Sequence, residues 1–237
     1  MADALLELED VTARYGPVTA LHGVSLTVGE GEAVAVLGAN GAGKTTAFNV
    51  ITRLYKPDAG RVGFDGRDLL RTPPHRIVRR GIARTFQNLA LFRSMTVLEN
   101  VRVGAHARRG ERDVQNVLEY VGIARLAQRP VAGLPYGTQK RVELARALAS
   151  GPKLLLLDEP AGGLNHEEVG ELGGFLQGLR RDFELTILLV EHHMGLVMGV
   201  ADRVHVLDFG RLIASGTPRE VQGDPKVVEA YLGTTVG

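Results

Sequence analysis

Cysteine is absent from the 237-residue sequence. The fold therefore needs no disulfide bond, and it offers neither a thiol nucleophile nor a cysteine metal site. Long apolar runs are absent too, since the longest, at residues 154–157 and 186–190, fall far short of the ~20 residues of a membrane span. The acidic segment 1–10 holds too few apolar residues for a signal peptide. These absences predict a protein that is made and kept in the cytoplasm.

A surplus of charge of either sign is also missing. Lys and Arg together number 28, and Asp and Glu together number 27. This balance provides no general attraction to nucleic acid, so we expect no nucleic-acid partner. Arginines cluster only locally, at residues 76–84 and 108–112, and we interpret both clusters as solvated helix faces. The length fits one large domain or two small ones and is sufficient to bury a core.

A glycine-rich segment, residues 38–46, directly follows the apolar run 33–37. A strand, a glycine-rich turn and a helix start form a phosphate cradle, because glycines let backbone N–H groups face an anion and the helix N-terminus adds free donors. Lys44 would reach the β- and γ-phosphates, and the Thr45 hydroxyl would ligate Mg²⁺. The alternative is an ordinary glycine turn. The predicted ATP contacts in this segment are Gly38, Asn40, Gly41, Gly43, Lys44, Thr45 and Thr46.

Two acids end another apolar run. The leucines 154–157 precede Asp158 and Glu159, and such continuous runs belong to sheets that are covered on both faces. Asp158 can hold Mg²⁺ directly or through water. Glu159 points to the other side of the strand and can orient and deprotonate the attacking water. The alternative is that both acids simply close a strand at the surface.

The order of elements predicts the fold class. Residues 5–28 have the pattern of paired strands, and strand and helix patterns then alternate along the chain, which argues for a mostly parallel α/β sheet. Residues 97–150 are helical in pattern, and Thr96 with Glu99 predicts a capping box at their start. We expect an α/β P-loop fold with a mostly parallel core sheet, a small antiparallel β subdomain and a helical subdomain.

Taken together, these motifs make the chain resemble the nucleotide-binding subunit of an ATP-binding cassette (ABC) transporter over essentially its whole length. Residues 38–45 match the family's Walker A motif, and residues 154–159 match Walker B. The resemblance implies an ABC ATPase that uses ATP and Mg²⁺ and forms ADP and phosphate. It implies one ABC ATPase domain, 1–237, with a core of 1–86 and 151–237 that carries the antiparallel β subdomain, and a Q-loop and helical subdomain of 87–150.

Further site residues follow from the resemblance alone. Gln87 resembles the Q-loop glutamine, which senses Mg²⁺ and the membrane partner, and His192 resembles the switch histidine that contacts the γ-phosphate. Tyr15 resembles the aromatic residue that stacks on adenine, although the sequence by itself favours a packing role for it. The implied catalytic residues are Glu159, His192 and Gln87, and the implied Mg²⁺ ligands are Thr45, Gln87 and Asp158.

Residues 134–141 resemble the signature motif of the family, usually Leu-Ser-Gly-Gly-Gln. Gly137 and the helix start that follows offer a second anion site, which in the family serves the ATP of the opposite subunit. Pro135 replaces the usual serine and removes a hydroxyl donor, and Tyr136 replaces a glycine. The D-loop, 163–165, also departs from the commoner Ala-Leu-Asp. The implied contacts to the opposite subunit's ATP are Pro135, Tyr136, Gly137 and Gln139.

With these departures from the common motifs, the sequence resembles one branch of importers, the branched-chain (hydrophobic) amino acid import family. Related amide and urea importers look much alike, and exporter or lipid-extraction cassettes share all the ATPase motifs. A non-transport ABC ATPase that acts on ribosomes or DNA is a further alternative, but such proteins usually carry two cassettes or a long coiled coil, and this sequence contains neither. The segments that carry the resemblance to the branch are 81–88, 91–92, 96–97, 99–100, 136–137, 163–165, 191–194 and 230–233.

The resemblance also implies partners and a location. Polytopic membrane permease subunits are expected, with a second ABC ATPase subunit that is either another copy or a paralogue, and indirectly a periplasmic or extracellular binding protein. The chain would be peripheral on the cytoplasmic face of the inner (plasma) membrane. Residues 89–95, here called the docking loop, are the predicted docking surface, because apolar side chains such as Phe92 are expected there at the surface. The alternative is that Leu91 and Phe92 cap the core of the helical insert.

Overall fold

The computed structural model describes residues 4–86, 89–106 and 113–232. The chain divides into two compact units, the first formed by residues 1–74 with 158–237 and the second by residues 75–157. Among the described helices, none combines the length and the apolar character that a membrane crossing needs. The sequence features that lie outside the described residues are Gln87, Asn88, the arginine cluster 108–112 and Gly233.

Strands and helices alternate along most of the chain. The first unit begins with β1 (Ala4–Tyr15), β2 (Val18–Gly29), β3 (Ala33–Leu37), α1 (Lys44–Ile51), β4 (Ala59–Phe64) and β5 (Arg67–Asp68). The second unit contains α2 (Ile77–Arg80), β6 (Ile82–Arg84), α3 (Val97–Ala105), α4 (Val114–Tyr120), α5 (Tyr136–Ala149) and β7 (Leu154–Asp158), whose last residue belongs to the first unit. The first unit then resumes with α6 (His166–Phe183), β8 (Thr186–Val190), α7 (Met194–Val200), β9 (Arg203–Asp208), β10 (Arg211–Gly216), α8 (Pro218–Gln222) and α9 (Pro225–Leu232).

An antiparallel sheet in the order β2-β1-β4-β5 forms one layer of the first unit. Leu6 and Leu8 on β1 are buried, and the exposed residues that alternate with them face solvent, as period-two patterning requires. Asp65 and Gly66, with φ of 51° and 69°, connect β4 to β5. Asp65-Gly66 therefore forms a tight hairpin turn, because both central residues adopt the left-handed backbone that such turns need.

The core of the first unit is built on strand β3. It pairs in parallel with β8 on one side and with β9 on the other, and β10 pairs with β9 in antiparallel fashion. Every residue of β3 and β8 is buried, which explains their continuous apolar sequences. Because parallel strands end at the same edge, the residues that follow Leu37, Val190 and Asp208 come together there. This edge carries the candidate site.

Helices dominate the second unit. Strands β6 and β7 pair in parallel there, and the described part of residues 97–150 contains α3, α4 and α5 with short 3-10 turns. The predicted capping box is confirmed, since the Thr96 side chain accepts from the Glu99 amide while the Glu99 carboxylate accepts from the Thr96 amide. Val97, Val101 and Val142 are fully buried in the core that these helices share.

Candidate active site

The loop between β3 and α1 lies directly against neighbouring backbone. Gly38 and Gly43 have φ of 156° and 103°. A Cβ atom at Gly38 would lie 2.3 Å from the carbonyl oxygen of Leu207, and one at Gly43 would lie 2.7 Å from that of Ala20. Only glycine fits at these two positions, so the chain can turn tightly and bring its amides to the start of α1. The predicted strand–turn–helix context of the phosphate loop is therefore present.

Lys44 opens α1 and is buried inside this loop, with 6% of its surface exposed. Its Nζ donates to the carbonyl oxygens of Gly38, at 2.6 Å, and Ala39, at 2.9 Å. Burial lowers the pKa of Lys44, and the negative charges of Glu159 and Asp158 oppose that change. A buried ammonium, a glycine cradle that a Cβ would fill and a helix N-terminus together fit a chain of phosphates.

The other residues predicted to contact ATP lie around Lys44. Asn40 and Gly41 are exposed in the loop, and Thr45 is exposed in the first turn of α1, whereas Thr46 is buried. The Thr45 hydroxyl and the Asp158 carboxylate are oxygen donors of the type that Mg²⁺ prefers. The chemistry of these donors fits the predicted cation. Gln87, the third predicted ligand, lies outside the described residues and its role stays a prediction.

The two acids at the end of β7 differ in burial and in backbone conformation. Asp158 is the last residue of β7 and is 6% exposed. Glu159 is half-buried and has φ of 47°, a left-handed backbone that is uncommon for a residue other than glycine. Its amide donates to the carbonyl oxygen of Val190 at 2.9 Å, so the end of β8 fixes its position. Both carboxylates act on the charge of Lys44, which indicates that the acids and the phosphate loop share one site.

Glu191 is a site residue to which sequence reasoning assigned no role. It follows β8 directly and is completely buried. Oε1 accepts from the amide of Ala161 at 2.7 Å, and Oε2 accepts from the amides of His192 and His193 at 3.0 and 3.1 Å. One carboxylate therefore sets the backbone of the predicted switch histidine. An acid directly after an apolar run was the available signal, the same signal that identified Asp158.

The side chain of His192 is exposed, as a residue that meets a ligand requires. The His193 ring instead packs edge-on against the ring of His166, with centroids 5.6 Å apart, on the first turn of α6. Asn165 caps that helix through a second capping box with Glu168. The unusual D-loop residue Asn165 therefore supplies the start of α6, a function that an aspartate would also perform.

Tyr15 ends β1 beside the turn that leads to Val18. Its ring centroid is 4.5 Å from that of Tyr55, and 43% of the residue remains exposed. Tyr15 thus has the packing role that the sequence alone favours, while part of its surface remains exposed to solvent. The adenine-stacking role stays a prediction.

The signature residues belong to the second unit and start α5. Pro135 is the N-cap residue of α5 and makes no side-chain capping hydrogen bond. Gln139 instead closes the turn, since its side chain donates to the carbonyl oxygen of Leu134 at 2.8 Å. Tyr136 is 54% exposed, and the ammonium of Lys140 lies 5.2 Å from its ring centroid. Pro135, Tyr136 and Gly137 are all exposed, and their contact with a second subunit's ATP stays a prediction.

Comparison with known proteins agrees with this site. Residues 21–162 match the family described as "ABC transporter", and residues 211–236 match "Branched-chain amino acid ATP-binding cassette transporter". The chain is 40% identical to the high-affinity branched-chain amino acid transport ATP-binding protein BraF of Pseudomonas aeruginosa, over 98% of this chain and 99% of that protein. It is 41% identical to the corresponding protein LivG of Salmonella typhimurium, with the same coverage.

Solved structures agree as well. The ADP conformation of MJ1267, an ATP-binding cassette of an ABC transporter, superposes with a TM-score of 0.87 at 32% identity and covers 97% of this chain and 99% of that one. The dimeric post-hydrolysis state of the cassette MJ0796, bound to ADP and phosphate, gives 0.80 at 28% identity over 90% and 99%. The chain therefore belongs to the ABC transporter family, as an ATPase cassette whose hydrolysis of ATP is coupled to transport.

Proposed function

We propose that this chain is the ATP-hydrolysing subunit of an importer for branched-chain, hydrophobic amino acids. The observation that carries the proposal is the similarity to BraF and LivG along 98% of the chain, which includes both Walker motifs and the C-terminal segment 211–236. Solute specificity in such importers resides in other subunits, so the substrate is inferred from relatives whereas the ATPase is inferred from the site itself.

The residues of the chain divide the work of hydrolysis. Lys44 and the start of α1 bind the phosphates, because a buried cation and free amide donors face the anion there. Thr45 and Asp158 would hold Mg²⁺ with Gln87, and Mg²⁺ when bound neutralises charge on the β- and γ-oxygens. Glu159 orients the attacking water and accepts its proton. His192 contacts the γ-phosphate, and Glu191 holds its backbone for that contact.

The working unit in this proposal is a dimer of cassettes. Pro135, Tyr136, Gly137 and Gln139 bind the ATP held by the opposite subunit, and the exposed start of α5 supports that role. ATP binding closes the dimer, and hydrolysis followed by phosphate release reopens it. The second cassette is either another copy of this chain or a paralogue. The dimeric state of the similar cassette MJ0796 supports a paired assembly.

The docking loop faces the membrane partner in this proposal. Phe92 is 47% exposed, whereas Leu91 is half-buried. An exposed aromatic residue on a loop is a common anchor for a partner protein. Polytopic permease subunits would bind there and hold the chain on the cytoplasmic face of the inner membrane. A periplasmic or extracellular binding protein would act through the permease alone.

A capture experiment tests the assembly. Tagged Glu159→Gln, loaded with ATP, is used to pull its partners from detergent-solubilised native membranes, and mass spectrometry identifies them. Lys44→Ala serves as the control, because it lacks the charge that faces the phosphates and should not form the closed dimer. Two polytopic permease subunits support the importer and reveal whether the second cassette is a copy or a paralogue. Ribosomal or DNA-repair proteins without a permease would keep the ATPase and overturn its role in transport.

An uptake experiment tests the substrate. Cells that lack this chain are complemented with the wild type or with Lys44→Ala, and the uptake of labelled leucine, isoleucine and valine is measured. We expect uptake to return only with the wild type, and competition by unlabelled branched-chain amino acids but not by urea or short amides. Competition by urea or amides alone would reassign the importer to that related group.

A further inference from the structure

A buried ion pair lies on α5, the helix that begins at the signature motif. Glu143 and Arg146 are one turn apart on α5, and their side chains are only 4% and 14% exposed. Arg146 Nη2 lies 3.7 Å from Glu143 Oε1. Neither residue belongs to the predicted nucleotide site. Burying a carboxylate is costly even when it is paired, and further hydrogen bonds to its oxygens are needed to offset that cost.

The pair binds the backbone that leads into the docking loop. Glu143 Oε1 accepts from the amides of Phe86 and Ala90, each at 3.3 Å. Arg146 Nη1 donates to the carbonyl oxygen of Ala90 at 2.5 Å. Phe86 is therefore bonded to one side chain of α5, and Ala90 is bonded to two.

Helix α3 holds the same loop further along. The Asn100 side chain is completely buried, accepts from the amide of Phe92 at 2.9 Å and donates to its carbonyl oxygen at 3.1 Å. Helix α3 in turn lies directly on α5, since a Cβ atom at Gly104 would be 1.9 Å from the carbonyl oxygen of Arg146. The loop at Phe92 is therefore hydrogen-bonded to α3, and α3 is closely packed on α5.

The electrostatics of Glu143 agree with a role in orientation. Burial raises the pKa of Glu143, and the amides of Ala90 and Phe86 together with the charges of Arg146 and Lys140 oppose that change. An apolar side chain of similar volume would avoid the penalty of burial but could not accept from two amides. The carboxylate therefore fixes where the loop lies relative to α5.

We propose that Glu143 and Arg146 are positioning residues that couple the docking loop to the signature helix α5. A membrane partner that moves the docking loop would reorient the start of α5, which carries the signature residues, through these hydrogen bonds. The inference rests on the proposed function, because it requires that the docking loop contacts a permease. It assigns no chemical step to either residue.

The test measures two ATPase activities. The stimulated activity is that of the assembled transporter, purified with its permease subunits and reconstituted in lipid vesicles. The basal activity is that of the chain alone. Glu143→Met keeps the side-chain volume but cannot accept from the two amides. We expect it to lower the ratio of stimulated to basal activity about 10-fold, a typical size for coupling between sites. Basal hydrolysis and ATP affinity should stay unchanged. Glu143→Gln keeps one acceptor oxygen and should preserve most of the ratio, and exposed Glu119→Met on α4 is the matched control.

Hydrogen exchange at the amides of Phe86 and Ala90 reports whether the loop has been released. An unchanged ratio in Glu143→Met, with faster exchange at these amides, would overturn the positioning role. If that variant does not fold, Arg146→Lys repeats the test, since it keeps the charge beside Glu143 but loses the planar group that reaches Ala90. An unchanged ratio in Arg146→Lys would also overturn the positioning role. The ratio does not depend on which solute is carried, so a failure of leucine uptake leaves it measurable. Failure of any membrane subunit to copurify would overturn the proposed function and this role with it.

Discussion

Glu159 combines a strained backbone with a fixed position. A left-handed conformation in a residue other than glycine costs on the order of 1–3 kcal/mol and persists where the surrounding structure enforces it. Here the hydrogen bond from its amide to Val190 supplies that restraint, and Gly162 donates to its carbonyl oxygen. A backbone held in this way aims the side chain without contributing to stability. This is the geometry expected of a residue that must orient a water molecule.

Replacing Glu159 by glutamine tests this role. Glu159→Gln should keep ATP affinity, because Lys44 and the phosphate loop are untouched, while kcat falls roughly 10²–10⁴-fold with the loss of the general base. The variant should accumulate as an ATP-bound dimer in size-exclusion chromatography. Exposed Glu171→Gln on α6 is the control and should hydrolyse normally. Normal hydrolysis by Glu159→Gln would remove Glu159 from the role of base.

Glu191 should matter for rate rather than for binding. In Glu191→Gln one oxygen becomes an amide N–H₂, so either the amide of Ala161 or those of His192 and His193 lose their acceptor. We expect kcat to fall with little change in ATP affinity, and the free energy of unfolding to fall by about 1–3 kcal/mol. Steady-state kinetics and urea unfolding measure the two effects, with exposed Glu167→Gln for comparison. An unchanged kcat would show that the backbone of His192 needs no such support.

The sequence alone identifies site residues when their type and spacing are typical of one kind of site. Lys44, Asp158 and the flanking glycines are of this kind, because a phosphate cradle tolerates few substitutes. Glu191 was not identified as a site residue, because it acts on backbone amides that are brought to it from Ala161, 30 positions away. The acid directly after an apolar run was a local signal for the position of Glu191, but its contact with Ala161 depends on how the strands are arranged and is not encoded locally.

Side-chain caps define where several helices begin. Asn165 accepts from the amide of Glu168 at 3.0 Å, and Glu168 returns a bond to the amide of Asn165 at 2.8 Å. Thr96 and Thr217 form the same arrangement with Glu99 and Glu220. The sequence predicted the box at Thr96, whereas Asn165 was interpreted only as part of the D-loop. The capping function supplies a physical reason for the polar residue at this position.

Removing that cap should weaken the first unit. Asn165→Ala should lower the free energy of unfolding by about 1 kcal/mol, because the amide of Glu168 loses its partner. Asn165→Asp should be as stable as the wild type, since aspartate caps equally well and its charge favours the helix N-terminus. Exposed Asn116→Ala within α4 is the control and should be neutral or slightly stabilising. Equal stability of both alanine variants in urea unfolding would contradict the capping role.

Strand β9 carries a buried histidine that should make stability depend on pH. Burial lowers the pKa of His205 below its usual 6.5, the charge of Arg203 adds to this change, and the hydrogen bond with Thr27 and the charge of Glu32 oppose it. The unfolded chain therefore binds a proton first as the pH falls. The contribution to stability is complete above pH 6.5 and is lost as the pH falls from there toward the folded-state pKa.

A substitution isolates that contribution. His205→Gln cannot titrate in this range and should flatten the decline in the free energy of unfolding between about pH 7.5 and about pH 5.5. Exposed His75→Gln should leave the slope as in the wild type. Urea unfolding at several pH values gives the slope directly. A slope that is the same in all three proteins would assign the pH dependence to other groups.

For the whole molecule, the sequence predicts the fold class and also the limits of the helical subdomain. The mostly parallel α/β core with an antiparallel sheet and a helical region is confirmed, because periodicity reports whether a segment is strand or helix. The proposed limits of the helical subdomain, 87–150, stay a prediction, and the compact unit that contains it spans residues 75–157. Subdomain limits depend on which long-range contacts form, and those are not encoded in local periodicity.

The docking loop gives the prediction that concerns the assembled transporter. Phe92 is 47% exposed while Asn100 holds its backbone, so Phe92→Asp should leave the fold and ATP affinity unchanged. The added carboxylate would have to be desolvated in an apolar interface, so binding to permease-containing membranes should be lost. Phe209→Asp, at a residue 81% exposed in the first unit, is the matched control and should still sediment with those membranes. Retained binding by Phe92→Asp would refute the docking surface, and a lowered free energy of unfolding would instead favour a role for Phe92 in capping the core of the helical insert.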